Sequence, residues 1–79
     1  MATKGYVLIE TAVGRTRDVV IALQAVGGVK SVDPVTGPYD VIAIVEGADI
    51  NAIGSLITEN IHTINGVLRT VTCLAMELK

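Results

Sequence analysis

The 79-residue chain reads as a single α+β domain of order β-α-β-β-α-β, a four-stranded antiparallel sheet with both helices on one face. Three observations predict it. The apolar period changes from strand-like to helix-like and back twice along the chain. A Gly37-Pro38 turn divides the chain near its middle. The halves also echo one another, with "GGVKSV" after the first helical stretch and "NGVLRTV" after the second.

Tyr6 to Ala12, "YVLIETA", is rich in residues that suit a pleated surface and ends at Val13-Gly14, which predicts the first strand. From Thr16 to Val26 the residues Val19, Ala22, Leu23 and Val26 recur at three- and four-residue steps. Asp18 lies in the first turn, where the helix dipole favours an anion, and Gly27-Gly28 supplies the stop. A second strand follows over Val29–Thr36, then the Gly37-Pro38 turn, then a continuous apolar strand over Val41–Val45 closed by Glu46-Gly47. Asp49 is a good N-cap for a second helix whose Ile50, Ile53, Ile57, Ile61 and Ile64 form one apolar stripe ending at Asn65-Gly66. The last strand is expected from Val67 to about Leu78. This pseudo-symmetric split unit is the ferredoxin-like topology.

Composition excludes several classes. No apolar run approaches the roughly 20 residues that span a bilayer, and no signal-peptide core follows the start, so the expectation is a soluble, cytoplasmic protein with no membrane partner. A net charge of −2 gives no footprint for direct nucleic-acid contact. With two Tyr and no Phe or Trp, the sheet also lacks the aromatic platforms on which this topology stacks RNA bases. The lone Cys73 allows neither an intramolecular disulfide nor a Cys-paired metal site, and its apolar run suggests a small hydrophobe.

The strands are apolar on both sides. Tyr6 and Leu8 fall on one face of the first strand and Val7 and Ile9 on the other; in the third, Val41, Ala43 and Val45 oppose Ile42 and Ile44. Two helices cover only one face, so a second copy of the sheet is the simplest cover for the other. A twelve-residue last strand would span ~40 Å, beyond what one small sheet pairs. Together these predict a homodimer, packed sheet to sheet as a dimeric α/β barrel with the last strand shared, and a closed assembly of such dimers.

Catalytic inventory is thin. His62 reads as a solvated residue near the end of the second helix, and Asp18, Glu59 and Glu77 as exposed charges. Paired carboxylates, a nucleophile elbow and a phosphate loop are all missing, and two arginines in Gly14-Arg15-Thr16-Arg17 are weak grounds for an anion site. The loop after the first strand reads Thr11-Ala12-Val13-Gly14, not Cys-x-x-Cys, so no metal or other cofactor is expected. What remains is polar matter placed where apolar residues would be easier: Asp40 before the apolar third strand, and Arg69, Thr70 and Thr72 in the last. If the last strand of one subunit approaches the Gly37-Pro38 turn of another, Asp40 could face an α-ammonium group. Backbone amides and the threonine hydroxyls would then receive an α-carboxylate. The plainer alternatives are a turn aspartate bonding local amides and two threonines chosen for strand propensity.

The stretches "VTGPYDVIAIVEG" and "INGVLRTVTCLAM" resemble the Gly-x-Tyr-Asp turn and the Gly-Val-x-Arg-Thr-x-Thr final strand of the regulation-of-amino-acid-metabolism (RAM) domain, the effector domain of Lrp/AsnC transcription regulators. The resemblance covers nearly the whole chain. It implies a ferredoxin-like domain that dimerises through its sheets and forms rings of dimers, octameric or decameric, with an amino-acid effector bound at contacts between dimers. Carried over by motif, Gly37, Pro38, Tyr39 and Asp40 border that pocket, and Thr70 and Thr72 contribute from the last strand. Pro38 departs from the acidic or polar residue often found there and removes an amide donor. No helix-turn-helix precedes the first strand, so a stand-alone domain over residues 1–79 is expected, acting directly or with a full-length relative. The rivals are an ACT-like regulatory module, a dimeric barrel enzyme of monooxygenase or isomerase type, and a structural assembly subunit. An enzyme of that kind needs a polar or His-lined cavity between sheet and helices, where this chain offers mainly aliphatics.

Overall fold

A computed structural model describes residues 2–78. The chain forms β1 (Thr3–Thr11), α1 (Thr16–Gln24), β2 (Val29–Pro34), β3 (Val41–Gly47), α2 (Ile50–Leu56) continuing into a π-helical turn (Ile57–Ile61), and β4 (Val67–Leu74). The sheet order is β2-β3-β1-β4 with every neighbour antiparallel. This is the topology expected from the periodicity, with β2 and β4 as edges. Among the described residues no helix is long and apolar enough to cross a membrane.

The core lies between the helices and one face of the sheet. Val7, Ile9, Val41, Ala43 and Val45 from the central strands meet Val19 and Leu23 of α1 and Ile53, Ile57 and Ile61 of the second helical segment. On the other face the register aligns Tyr6 with Ile44 and Cys73, and Leu8 with Ile42 and Val71. Leu8, Ile42, Ile44 and Val71 are half-buried by their neighbours alone, and Tyr6 is 36% exposed. The two-sided pattern of β1 and β3 thus resolves into a helix-covered face and a bare apolar one. At the ends of that bare face the cross-strand partners are charged, Lys4 opposite Glu46 and Glu10 opposite Arg69.

Three expectations change. β4 stops at Leu74, paired with Gly5, and Ala75 adds one bond from its N–H to the Lys4 carbonyl at 2.8 Å. Thr3 and Lys4 extend β1 past that point and pair with Gly47 and Glu46 of β3, but the ladder to β4 does not continue along them. Cys73 is exposed, because its parity turns it to the bare face beside Tyr6. Ile50 is 62% exposed at the first turn of α2, so the apolar stripe begins at Ile53.

Local chemistry sets the element ends. The Asp49 carboxylate accepts from the Ala52 N–H at 2.8 Å, the expected N-cap. Gly66, which joins the π turn to β4, has φ +104°, and a Cβ there would lie 2.9 Å from the Arg15 Cβ, so α1 packs against this turn only because the side chain is missing.

Candidate functional site

The hairpin from β2 to β3 closes with the Val35 N–H donating to the Asp40 carbonyl at 2.9 Å. Gly37, at φ +124°, and Pro38 form its exposed tip, and Tyr39 and Asp40 are half-buried on its return. Asp40 is tied to β1 twice: its N–H donates to the Ile9 carbonyl at 2.9 Å, and its Oδ2 accepts from the Thr11 N–H at 2.8 Å. No hydrogen bond to Oδ1 occurs among the described residues. The local-amide role of a turn aspartate is therefore real, and it occupies one of the two carboxylate oxygens.

Thr11 is the residue that sequence reasoning passes over. It is the buried polar side chain of the core, 7% exposed, and its Oγ1 lies 2.8 Å from the Thr16 Oγ1 at the start of α1. Its backbone holds Asp40 and its side chain holds α1. The next residue, Ala12, donates to the Gly66 carbonyl at 2.8 Å, which draws the α2–β4 turn to the same end of the sheet. Nothing in the local pattern singles out Thr11, since a threonine at a strand end is ordinary; its role appears only when three loops converge on it.

Thr70 and Thr72 pair with Ile9 and Val7 and so share the helix-bearing face of the sheet. Thr70 lines a surface cleft of about 310 Å³ with His62, Val67, Leu68 and Arg69, and its Oγ1 lies 2.9 Å from the His62 Nε2. Thr72 lines a different cleft of about 280 Å³, between β4 and α2, with Ile50, Ile57 and Leu74 among its walls. Neither cleft includes Gly37, Pro38, Tyr39 or Asp40. Asp40 bonds one flank of β1 and Thr70 pairs with the other, two strand spacings or ~10 Å apart. Within one chain, then, the turn group and the threonine group lie apart.

Chemically, the ensemble offers a carboxylate with a spare oxygen, two hydroxyls, the edge of β4 and an imidazole. Among the described residues no three His, Cys, Asp or Glu side chains gather to hold a metal ion. The other acids remain outside the ensemble: Asp18 pairs at 3.5 Å with Arg15 on an exposed helix face, and Asp33 and Glu77 are exposed.

Comparison with known proteins bears on what this ensemble serves. The family model described as the Lrp/AsnC ligand binding domain matches residues 4–78. Among solved structures, TTHA0845 from Thermus thermophilus superimposes with a TM-score of 0.91 at 32% identity, covering 98% of this chain and 96% of that one. The feast or famine regulatory protein Rv3291c from M. tuberculosis, complexed with L-methionine, superimposes with a TM-score of 0.83 at 22% identity over 96% of this chain and 51% of its own, a likeness of fold. Among curated proteins, homocitrate synthase of Sulfurisphaera tokodaii is 38% identical over 55 residues, which are 70% of this chain and only 12% of that enzyme.

Proposed function

The chain belongs to the family of Lrp/AsnC ligand-binding domains, and from that premise we propose that it is a non-enzymatic, oligomeric sensor of an amino acid or related small effector. The observation that carries this reading is the separation of the two half-sites. Asp40 keeps one carboxylate oxygen unused at the turn, while Thr70 and Thr72 stand on an edge strand in clefts the turn does not reach. A zwitterion bridging a carboxylate and hydroxyls needs both, and a neighbouring subunit is the simplest way to bring a second turn to this strand. The bare apolar face supplies a reason to form the dimer on which such a contact builds. The L-methionine complex of Rv3291c supports the ligand class. We take the domain as a sensor that acts directly or together with a DNA-binding regulator of the same family.

A thermal-shift screen against the twenty amino acids, run beside light scattering, tests the reading. Free effector at one hundred times Kd adds about 2.7 kcal/mol to stability, a shift easily seen in so small a domain. No shift with any amino acid, together with a monomeric mass, would overturn it. A second reading draws on the homocitrate synthase match: a domain of this type regulates an enzyme in place of a DNA-binding regulator. Affinity capture with the tagged chain separates the two by whether a helix-turn-helix relative or an enzyme is retained.

A further inference from the structure

The π turn and the residue that closes it raise a question that the sensor reading leaves unanswered. The His62 N–H donates to the Ile57 carbonyl at 2.8 Å, five residues back, so His62 itself closes the widened turn. Such turns are rare and recur at functional sites, because the extra residue re-aims the side chains that follow. Here Ile57 and Ile61 both stay in the core, and the next side chain, the exposed His62, is delivered onto β4 with its Nε2 2.9 Å from the Thr70 Oγ1. An exposed imidazole on a half-buried hydroxyl at the surface contributes little to folding. It does determine what that hydroxyl has left to offer.

We propose that His62 is a positioning residue for Thr70, that its neutral ring carries the proton on Nδ1, and that its protonation state thereby sets whether the Thr70 hydroxyl donates or accepts toward a bound amino acid; this rests on the reading of Thr70 as an effector contact. In the imidazolium both ring nitrogens donate, so the Thr70 oxygen accepts from Nε2 and its own O–H is released to donate to an α-carboxylate. In the neutral ring with its proton on Nδ1, Nε2 is a lone pair that takes the Thr70 O–H, and the hydroxyl turns only lone pairs to the cleft. Carboxylate binding at Thr70 therefore strengthens as pH falls through the range in which histidine takes up a proton. The charged group that shares the cleft with the ring is Arg69 of β4, while Glu59, three residues earlier on the π turn, is exposed and lines a different cleft. No carboxylate forms an ion pair with His62 among the described residues. His62 is the chain's single histidine, so the imidazole ring resonances report on it alone.

Two measurements test the proposal. NMR of the full chain, without any added amino acid, follows the Thr70 methyl resonance from pH 5 to 8. It is expected to move with the His62 ring resonances, and to lose that movement in His62→Gln, whose side-chain amide keeps a neutral hydrogen bond at the same reach. A Thr70 resonance that ignores the His62 titration overturns the proposal whatever binds. The second arm measures affinity for the twenty amino acids as individual probes at pH 5.5 and 8. We expect about five-fold tighter binding at the lower pH, the worth of one hydrogen bond, and a flat profile in His62→Gln. Thr70→Val weakening binding while His62→Gln keeps the wild-type pH profile overturns the positioning role alone. If Thr70→Val binds like wild type, or no amino acid binds at all, the effector-site reading fails and the role of His62 in affinity fails with it.

Discussion

Removing the Asp40 carboxylate also removes the acceptor of the Thr11 N–H, so Asp40→Ala is predicted to cost stability as well as binding. A half-buried donor left without a partner costs about 1–3 kcal/mol, and for a domain this small each kcal/mol lowers Tm by roughly 4–8 °C. Asp40→Asn separates the roles, since its amide oxygen still accepts from Thr11 while its charge is gone. We expect near-native Tm with lost amino-acid response; a retained response would return Asp40 to a purely local duty. The contact between Gly66 and Arg15 predicts a second effect. Gly66→Ala combines left-handed backbone with a Cβ forced to 2.9 Å from the Arg15 Cβ, and a loss of about 1–3 kcal/mol in chemical denaturation is expected. Asp40 is legible in the sequence as a polar residue beside an apolar strand. Thr11 is not, because its importance comes from three loops meeting, and no spacing along the chain encodes that.

The second helical segment shows where periodicity stops informing. Ile53, Ile57 and Ile61 recur at four-residue steps, a spacing that keeps one face apolar in either an α-helix or a widened turn. The stripe therefore predicts which residues are buried and does not predict the π turn. Its start is legible in Asp49, and Asp49→Ala is expected to cost about 1 kcal/mol by urea denaturation through the lost bond to the Ala52 N–H. The end of β4 escapes the sequence for a related reason. Thr72, Cys73 and Leu74 continue toward Leu78 with strand-like composition, yet the ladder to β1 closes at Gly5 and Leu74, and composition along one strand does not encode where its pairing with another stops.

At the scale of the molecule, the bare face is the surface on which the oligomer proposal depends. Leu8, Ile42, Ile44 and Val71 lie together on it with Tyr6 and Cys73, and a domain of this size has little core to spare. Ile44→Glu places a charge at its centre and is predicted to reduce the light-scattering mass to that of one chain; an oligomer with unchanged mass would remove this face from the interface. Cys73 supplies an internal reporter. Its thiol is expected to react slowly with a disulfide reagent in the wild-type assembly and rapidly in Ile44→Glu, because the same face covers or bares it.

By itself the sequence determined the order of elements, the two-sided strands and the polar residues worth testing, since these depend on period, turn chemistry and residue type along the chain. Only the tertiary structure decided that Asp40 spends one oxygen on Thr11 and that β4 ends at Leu74, opposite Gly5. Only the fold, likewise, sets His62 on Thr70 and keeps the turn and the threonines apart. Those are relations between residues distant in the chain, fixed by register and by packing at one end of the sheet, and register becomes definite only when the strands meet.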